Sequence, residues 1–89
     1  MMSIEVLMLI EANNRTGIAV TSSSKCTIAG NKIINNKDGG IYLSFSTDNA
    51  ISENKIINNK NHGILLSESS DYNEIFKNDI TDNYRGIFI

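Results

Sequence analysis

The chain has 89 residues, a formal net charge of -2, 40% hydrophobic and 20% charged side chains, which describes one small globular domain rather than a disordered segment. The weak negative charge removes the electrostatic case for a nucleic-acid partner. The single cysteine, Cys26, excludes an internal disulfide, and no run approaches the roughly 20 apolar residues that span a bilayer.

The bias of the composition lies in its fifteen Ile and thirteen Asn, with no Pro and no Trp. Many β-branched residues favour strands, and many Asn favour frequent turns. Residues 1–16 read as a degenerate N-terminal rung or a cap. One period back from Ile33 and Asn36 stand Ile10 and Asn13, while the preceding Asn column is lost in the run Leu7, Met8 and Leu9, with Met8 at the place of Asn31. The competing expectation is a short helix over Glu5–Ala12, since Leu, Met, Glu and Ala are good helix formers. The apolar run Ile4–Ile10 is interrupted by Glu5 and follows no basic residue, so it does not read as a signal peptide.

From Gly17 onward the chain repeats. Gly17, Gly40, Gly63 and Gly86 are each 23 residues apart, and each is followed by isoleucine. The copies are 17–39, 40–62, 63–85 and a partial 86–89. Their first segments read Gly-Ile-Ala-Val, Gly-Ile-Tyr-Leu, Gly-Ile-Leu-Leu and Gly-Ile-Phe-Ile, with large aliphatics at the second and fourth positions. That alternation marks a strand with one buried face. The Gly at each entry is expected to supply a backbone conformation with positive φ. A Ser/Thr-rich bend follows, with Ser23, Ser46 and Ser69 read as one column. Strict alternation from Leu43 would turn Phe45 inward, so the bend is expected to reset the parity.

The second half of each copy follows Asn-x-Ile-x-x-Asn-x-Ile-x-x-Asn: Asn49, Ile51, Asn54, Ile56 and Asn59 in the central copy. The preceding copy gives Cys26, Ile28, Asn31, Ile33 and Asn36. The following one gives Asn73, Ile75, Asn78, Ile80 and Asn83, displaced to a spacing of 24 by one residue gained in its Ser/Asp bend and one lost before Gly86. Isoleucines five apart fit short strands divided by corners, and neither a helix face nor one long strand. No copy can bury its isoleucines alone, whereas stacked copies can, and a fixed period of this length signals a solenoid. Asn31, Asn54 and Asn78, with Asn36, Asn59 and Asn83, are expected to form structural ladders that satisfy the backbone at the corners.

The stretch GIYLSFSTDNAISENKIINNKNHGILL resembles the right-handed parallel β-helix repeat of the pectin-lyase fold, and is most similar to the NosD-like (periplasmic copper-binding) repeats, which are related to carbohydrate-binding and sugar-hydrolysis domains. The resemblance covers residues 17–89. It implies an all-β, right-handed parallel β-helix of about three to four rungs of 23 residues, in a periplasmic or extracellular protein. The function it implies is a non-catalytic repeat module that recognises polysaccharide. The alternatives are part of a polysaccharide-active lyase, hydrolase or epimerase whose catalytic rungs lie elsewhere, and a copper-handling accessory protein.

The residues themselves say less about chemistry. Lys25, Asp48 and Asp71 read as one column, so two carboxylates can lie one rung apart, but calcium takes six to eight oxygen ligands and the solvated-bend reading is preferred. His62, Cys26, Met1, Met2 and Met8 fall on different rungs and do not form a soft-metal group. His62 reads as an exposed turn residue, and Cys26 as a buried substitution in an Asn column. No metal and no cofactor is expected. The outward column Ala19, Tyr42, Leu65, Phe88 is the one candidate binding surface, and Tyr42, Leu65 and Phe88 are the candidate carbohydrate-contacting residues. An exposed apolar ladder without a ligand is the plainer reading of the same column. The apolar, uncharged Gly86–Ile89 strand is expected to pair with other chains or with the remainder of a longer β-helix.

Overall fold

A computed structural model describes the backbone of Ser3–Ile4 and Leu9–Glu11, and residues 15–89 with their side chains. Among the described residues there is no helix. Short strands follow one another as β1 (Ser3–Ile4), β2 (Leu9–Glu11), β3 (Thr16–Thr21), β4 (Thr27–Ala29), β5 (Lys32–Ile34) and β6 (Gly39–Ser44). They continue as β7 (Ala50–Ser52), β8 (Lys55–Ile57), β9 (His62–Ser67), β10 (Glu74–Phe76), β11 (Asp79–Thr81) and β12 (Arg85–Phe88). Every third strand stacks on its predecessor, which gives three sheets: β1-β4-β7-β10, β2-β5-β8-β11 and β3-β6-β9-β12. All pairings are parallel and follow the repeat, for example Ile28↔Ile51↔Ile75 and Ile33↔Ile56↔Ile80. The fold is a parallel β-solenoid of about three turns. A helix over Glu5–Ala12 falls partly on residues outside those described, and its described part, Leu9–Glu11, is strand β2, paired with Lys32–Ile34.

The isoleucine columns become the interior. Ile28, Ile33, Ile41, Leu43, Ile51, Ile56 and Ile64 are fully buried, with Ile18, Val20 and Leu66 close behind, and the half-buried Ile75 and Ile80 pack against them. Burying each such side chain is worth about 1.5–3 kcal/mol, and one rung cannot do so without its neighbours.

The corners explain the polar columns. Left-handed residues recur at Ser22, Phe45 and Glu68; at Lys25, Asp48 and Tyr72; at Gly30, Glu53 and Lys77; and at Asn35, Asn58 and Asp82. Each stands directly before an inward polar ladder position or, in the case of Glu68, before the extra residue Ser69, which is itself left-handed and precedes Ser70. A left-handed residue reverses the strand's in-out alternation, so Phe45 points to solvent while Ser46 is fully buried. None of these positions is β-branched, the residue class that the left-handed region tolerates least.

The inward residue that follows bonds to the next rung. The Asn31 backbone N–H donates to Asn54 Oδ1 at 2.9 Å, and the Asn54 N–H donates to Asn78 Oδ1 at 3.0 Å. Asn36, Asn59 and Asn83 repeat the arrangement, as do Cys26, Asn49 and Asn73. The amides also reach back, with Asn54 Nδ2 donating to the Ile28 carbonyl and Asn59 Nδ2 to that of Ile33, both at 3.0 Å. Buried corner backbone is therefore satisfied by side chains instead of water. Cys26 is buried in its Asn column and loses only the side-chain half of this exchange, since its N–H still donates to Asn49 Oδ1 at 2.8 Å.

Three readings of the columns are corrected. Gly17, Gly40, Gly63 and Gly86 do not have positive φ, and the one glycine that does is Gly30. Gly17, Gly40 and Gly63 are needed for close approach: a Cβ on Gly40 would lie 2.5 Å from the Gly63 carbonyl oxygen and 2.6 Å from Ile56 Cγ2. The serine column is Ser23, Ser46 and Ser70, since the Ser46 N–H donates to Ser70 Oγ at 3.2 Å; Ser69 is the inserted residue. The same insertion separates the two carboxylates, because Tyr72, and not Asp71, occupies the corner of Lys25 and Asp48.

Candidate functional site

On the outer face of the β3-β6-β9-β12 sheet, residues that alternate with the buried Ile and Leu line up across rungs. The register Ala19↔Tyr42↔Leu65↔Phe88 places the four residues expected from the sequence in one column. A second column, at the strand entries, runs Thr16↔Gly39↔His62↔Arg85. Beside it stand Arg15, Asp38 and Asn61, joined by backbone bonds from Asp38 N–H to the Arg15 carbonyl at 3.3 Å and from Asn61 N–H to the Asp38 carbonyl at 3.1 Å. These columns enclose a half-open groove of about 720 Å³. That volume lies within the range of small-ligand sites, roughly 300–1,000 Å³.

The wall residues are held in place. The Ser67 hydroxyl donates to Tyr42 Oη at 3.1 Å, which ties the Tyr42 ring to the next rung. Arg85 lies over the Phe88 ring at 4.4 Å from its centroid and over the Tyr84 ring at 5.7 Å. Cation–π contacts of this kind orient an exposed ring. Tyr42 and Leu65 are half-buried, and Phe88 is 45% exposed, so the wall keeps apolar surface toward solvent.

The floor departs from the sequence reading. His62 is a strand residue, 6% exposed, and not an exposed turn residue. Its ring lies over Gly39 of the preceding rung, where a Cβ would come within 2.2 Å of Nε2 and 2.6 Å of Cδ2. The imidazole fills the space that Gly39 leaves by having no side chain. Burial holds its pKa below the ordinary histidine value, and the Asp38 carboxylate opposes that shift in part. The sequence carries a signal for this pair: the Gly39-Gly40 doublet occurs in one rung only, and His62 follows Gly39 by one period of 23. Arg15 and Asp38 were likewise not singled out from the sequence, and both line the groove.

The sequence model of the family described as periplasmic copper-binding protein (NosD) matches residues 6–89. The chain belongs to the NosD family. Neither a curated protein nor a solved structure matches it. Among the described residues the donors form no group that fits a copper ion. Among the described residues, no three His, Cys, Asp or Glu side chains come together, His62 lies on the outer face of one sheet, and Cys26 is sealed in the interior at a different corner. Copper sites group several nitrogen or sulfur donors around one point. Met1, Met2 and Met8 lie outside the described residues.

Proposed function

We propose that this NosD-family solenoid is a non-catalytic repeat module of the periplasm or cell surface that binds carbohydrate along the groove of its β3-β6-β9-β12 face. The observation that supports this reading is the alignment of Tyr42, Leu65 and Phe88 as one apolar wall, facing the polar Arg15, Asp38 and Asn61 across a narrow floor. A sugar ring has an apolar face that stacks on such a wall and hydroxyl edges that bond to polar groups opposite. The groove runs across rungs, at the roughly 4.8 Å spacing of paired strands, and so suits an extended chain of sugars.

Isothermal titration with neutral hexasaccharides (cello-, xylo- and laminari-) and with oligogalacturonate tests the reading. Tyr42→Ala and Phe88→Ala should each weaken the tightest binder about five- to tenfold, the equivalent of roughly 1 kcal/mol per lost ring contact. Affinity unaffected by both changes overturns the assignment of the wall. The non-catalytic half is tested separately, on polygalacturonate and alginate with Ca²⁺, where no unsaturated or reducing ends should be released. Asp48 and Asp71 occupy different columns, so turnover abolished by Asp48→Ala with Asp71→Ala would contradict it.

A further inference from the structure

The groove floor contains a buried polar group that the stacking argument does not use. His62 Nε2 is sealed from solvent and has no hydrogen-bond partner. A sealed N–H without an acceptor costs more than a sealed lone pair, so the neutral ring carries its proton on Nδ1. That nitrogen is not sealed, and His62 lines the groove. The ring stays in this position because Gly39 offers a bare backbone to lie on.

We propose that His62 is the specificity-determining donor of the groove: its neutral imidazole, seated on Gly39, presents Nδ1–H to an oxygen of the bound sugar, and protonation unseats the ring and removes that donor. The proposal rests on the carbohydrate reading above. The imidazolium would carry a second N–H, on Nε2, aimed at the Gly39 backbone with no acceptor there. Desolvation penalises the cation further. The charged and titratable groups around the ring do not reverse this. Asp38 and Tyr42 belong to the preceding rung, Arg85 to the following one, and Arg15 stands at the head of the groove. Asp38 favours the imidazolium in part, and the guanidinium groups of Arg85 and Arg15 offer it no counter-charge.

His62 is the one histidine in the chain, so its resonances need no assignment by mutation. Long-range ¹H–¹⁵N spectra at pH 8 should show the Nδ1–H tautomer. Ring-to-Gly39 α-proton contacts should be present at pH 8 and lost on protonation, and Gly39→Ala, which removes the seat, should abolish them at every pH. The three neutral hexasaccharides are then titrated at pH 7.5 and pH 5.5. The tightest should weaken at the lower pH in the native chain, by less than tenfold because the ring titrates below the ordinary histidine value, and the ratio should fall to near one in His62→Gln. An Nε2–H tautomer at pH 8, or binding indifferent both to pH and to His62, overturns this proposal alone. Failure of every hexasaccharide to bind at either pH overturns the carbohydrate reading together with it.

Discussion

Asn78 Oδ1 accepts two hydrogen bonds from Asn54, one from its backbone N–H and one from its Nδ2, each at 3.0 Å. One side-chain oxygen thus joins two rungs at a corner where no strand ladder runs. The same Asn54 returns a bond to the Ile28 carbonyl, so it connects three rungs.

Replacing Asn54 with Leu should therefore leave the Asn31 N–H and the Ile28 carbonyl buried without this partner. The expected cost is about 1–3 kcal/mol per unsatisfied group. Asn58 gives the contrast. It lies in the left-handed corner, exposed, with a side-chain bond to Asn35, so Asn58→Gly keeps the backbone favourable and should cost less than about 1 kcal/mol. Urea unfolding of both variants checks the difference; equal losses would contradict the ladder.

Gly40 and Gly86 occupy equivalent positions in the repeat but meet different surroundings. A Cβ at Gly40 collides with the backbone oxygen of Gly63, whereas at Gly86 the nearest atom is 3.8 Å away. Gly40→Ala should lose about 1–3 kcal/mol or more through overpacking, and Gly86→Ala should be close to neutral. Thermal denaturation of the pair, followed by circular dichroism, is sufficient.

The lowered pKa of His62 has a consequence for stability. Above about pH 6.5, the ordinary histidine value, the ring is neutral in both folded and unfolded chains and contributes no pH dependence. As pH falls below that value the unfolded chain takes up the proton first, so stability declines until the folded-state pKa has been passed. His62→Gln should remove this component, measured as the change in denaturation midpoint between pH 7.5 and pH 5.5 relative to the native chain.

The β12 edge presents Ile87 at 46% and Ile89 at 88% exposure, beside the half-buried Ile75 and Ile80 of the same rung. Unpaired parallel strands with apolar side chains recruit further strands. The isolated 89-residue chain should self-associate through this rung, and Ile87→Lys with Ile89→Lys should reduce the sedimenting mass. A native chain that sediments as a monomer at micromolar concentration would count against it.

Much of the architecture was legible in the residues, because stacking copies on one another turns sequence period directly into spatial neighbourhood. Ile28, Ile51 and Ile75 had to meet once the period was seen, and so did Tyr42, Leu65 and Phe88. The exchange at the corners was partly legible: recurrent Asn implied ladders, but the left-handed residue is the one before each Asn, where side chains vary from Lys to Tyr. Periodicity also fails at an insertion. Whether Ser69 or Ser70 continues the serine column depends on which residue bulges, and that choice moved Asp71 out of line with Asp48. The floor of the groove was decided by tertiary structure, and the Gly39-Gly40 doublet one period before His62 was its one trace in the sequence. A histidine before a glycine reads as a turn residue in one dimension, and it becomes buried because the rung beneath it carries glycine where a side chain would otherwise have held the space.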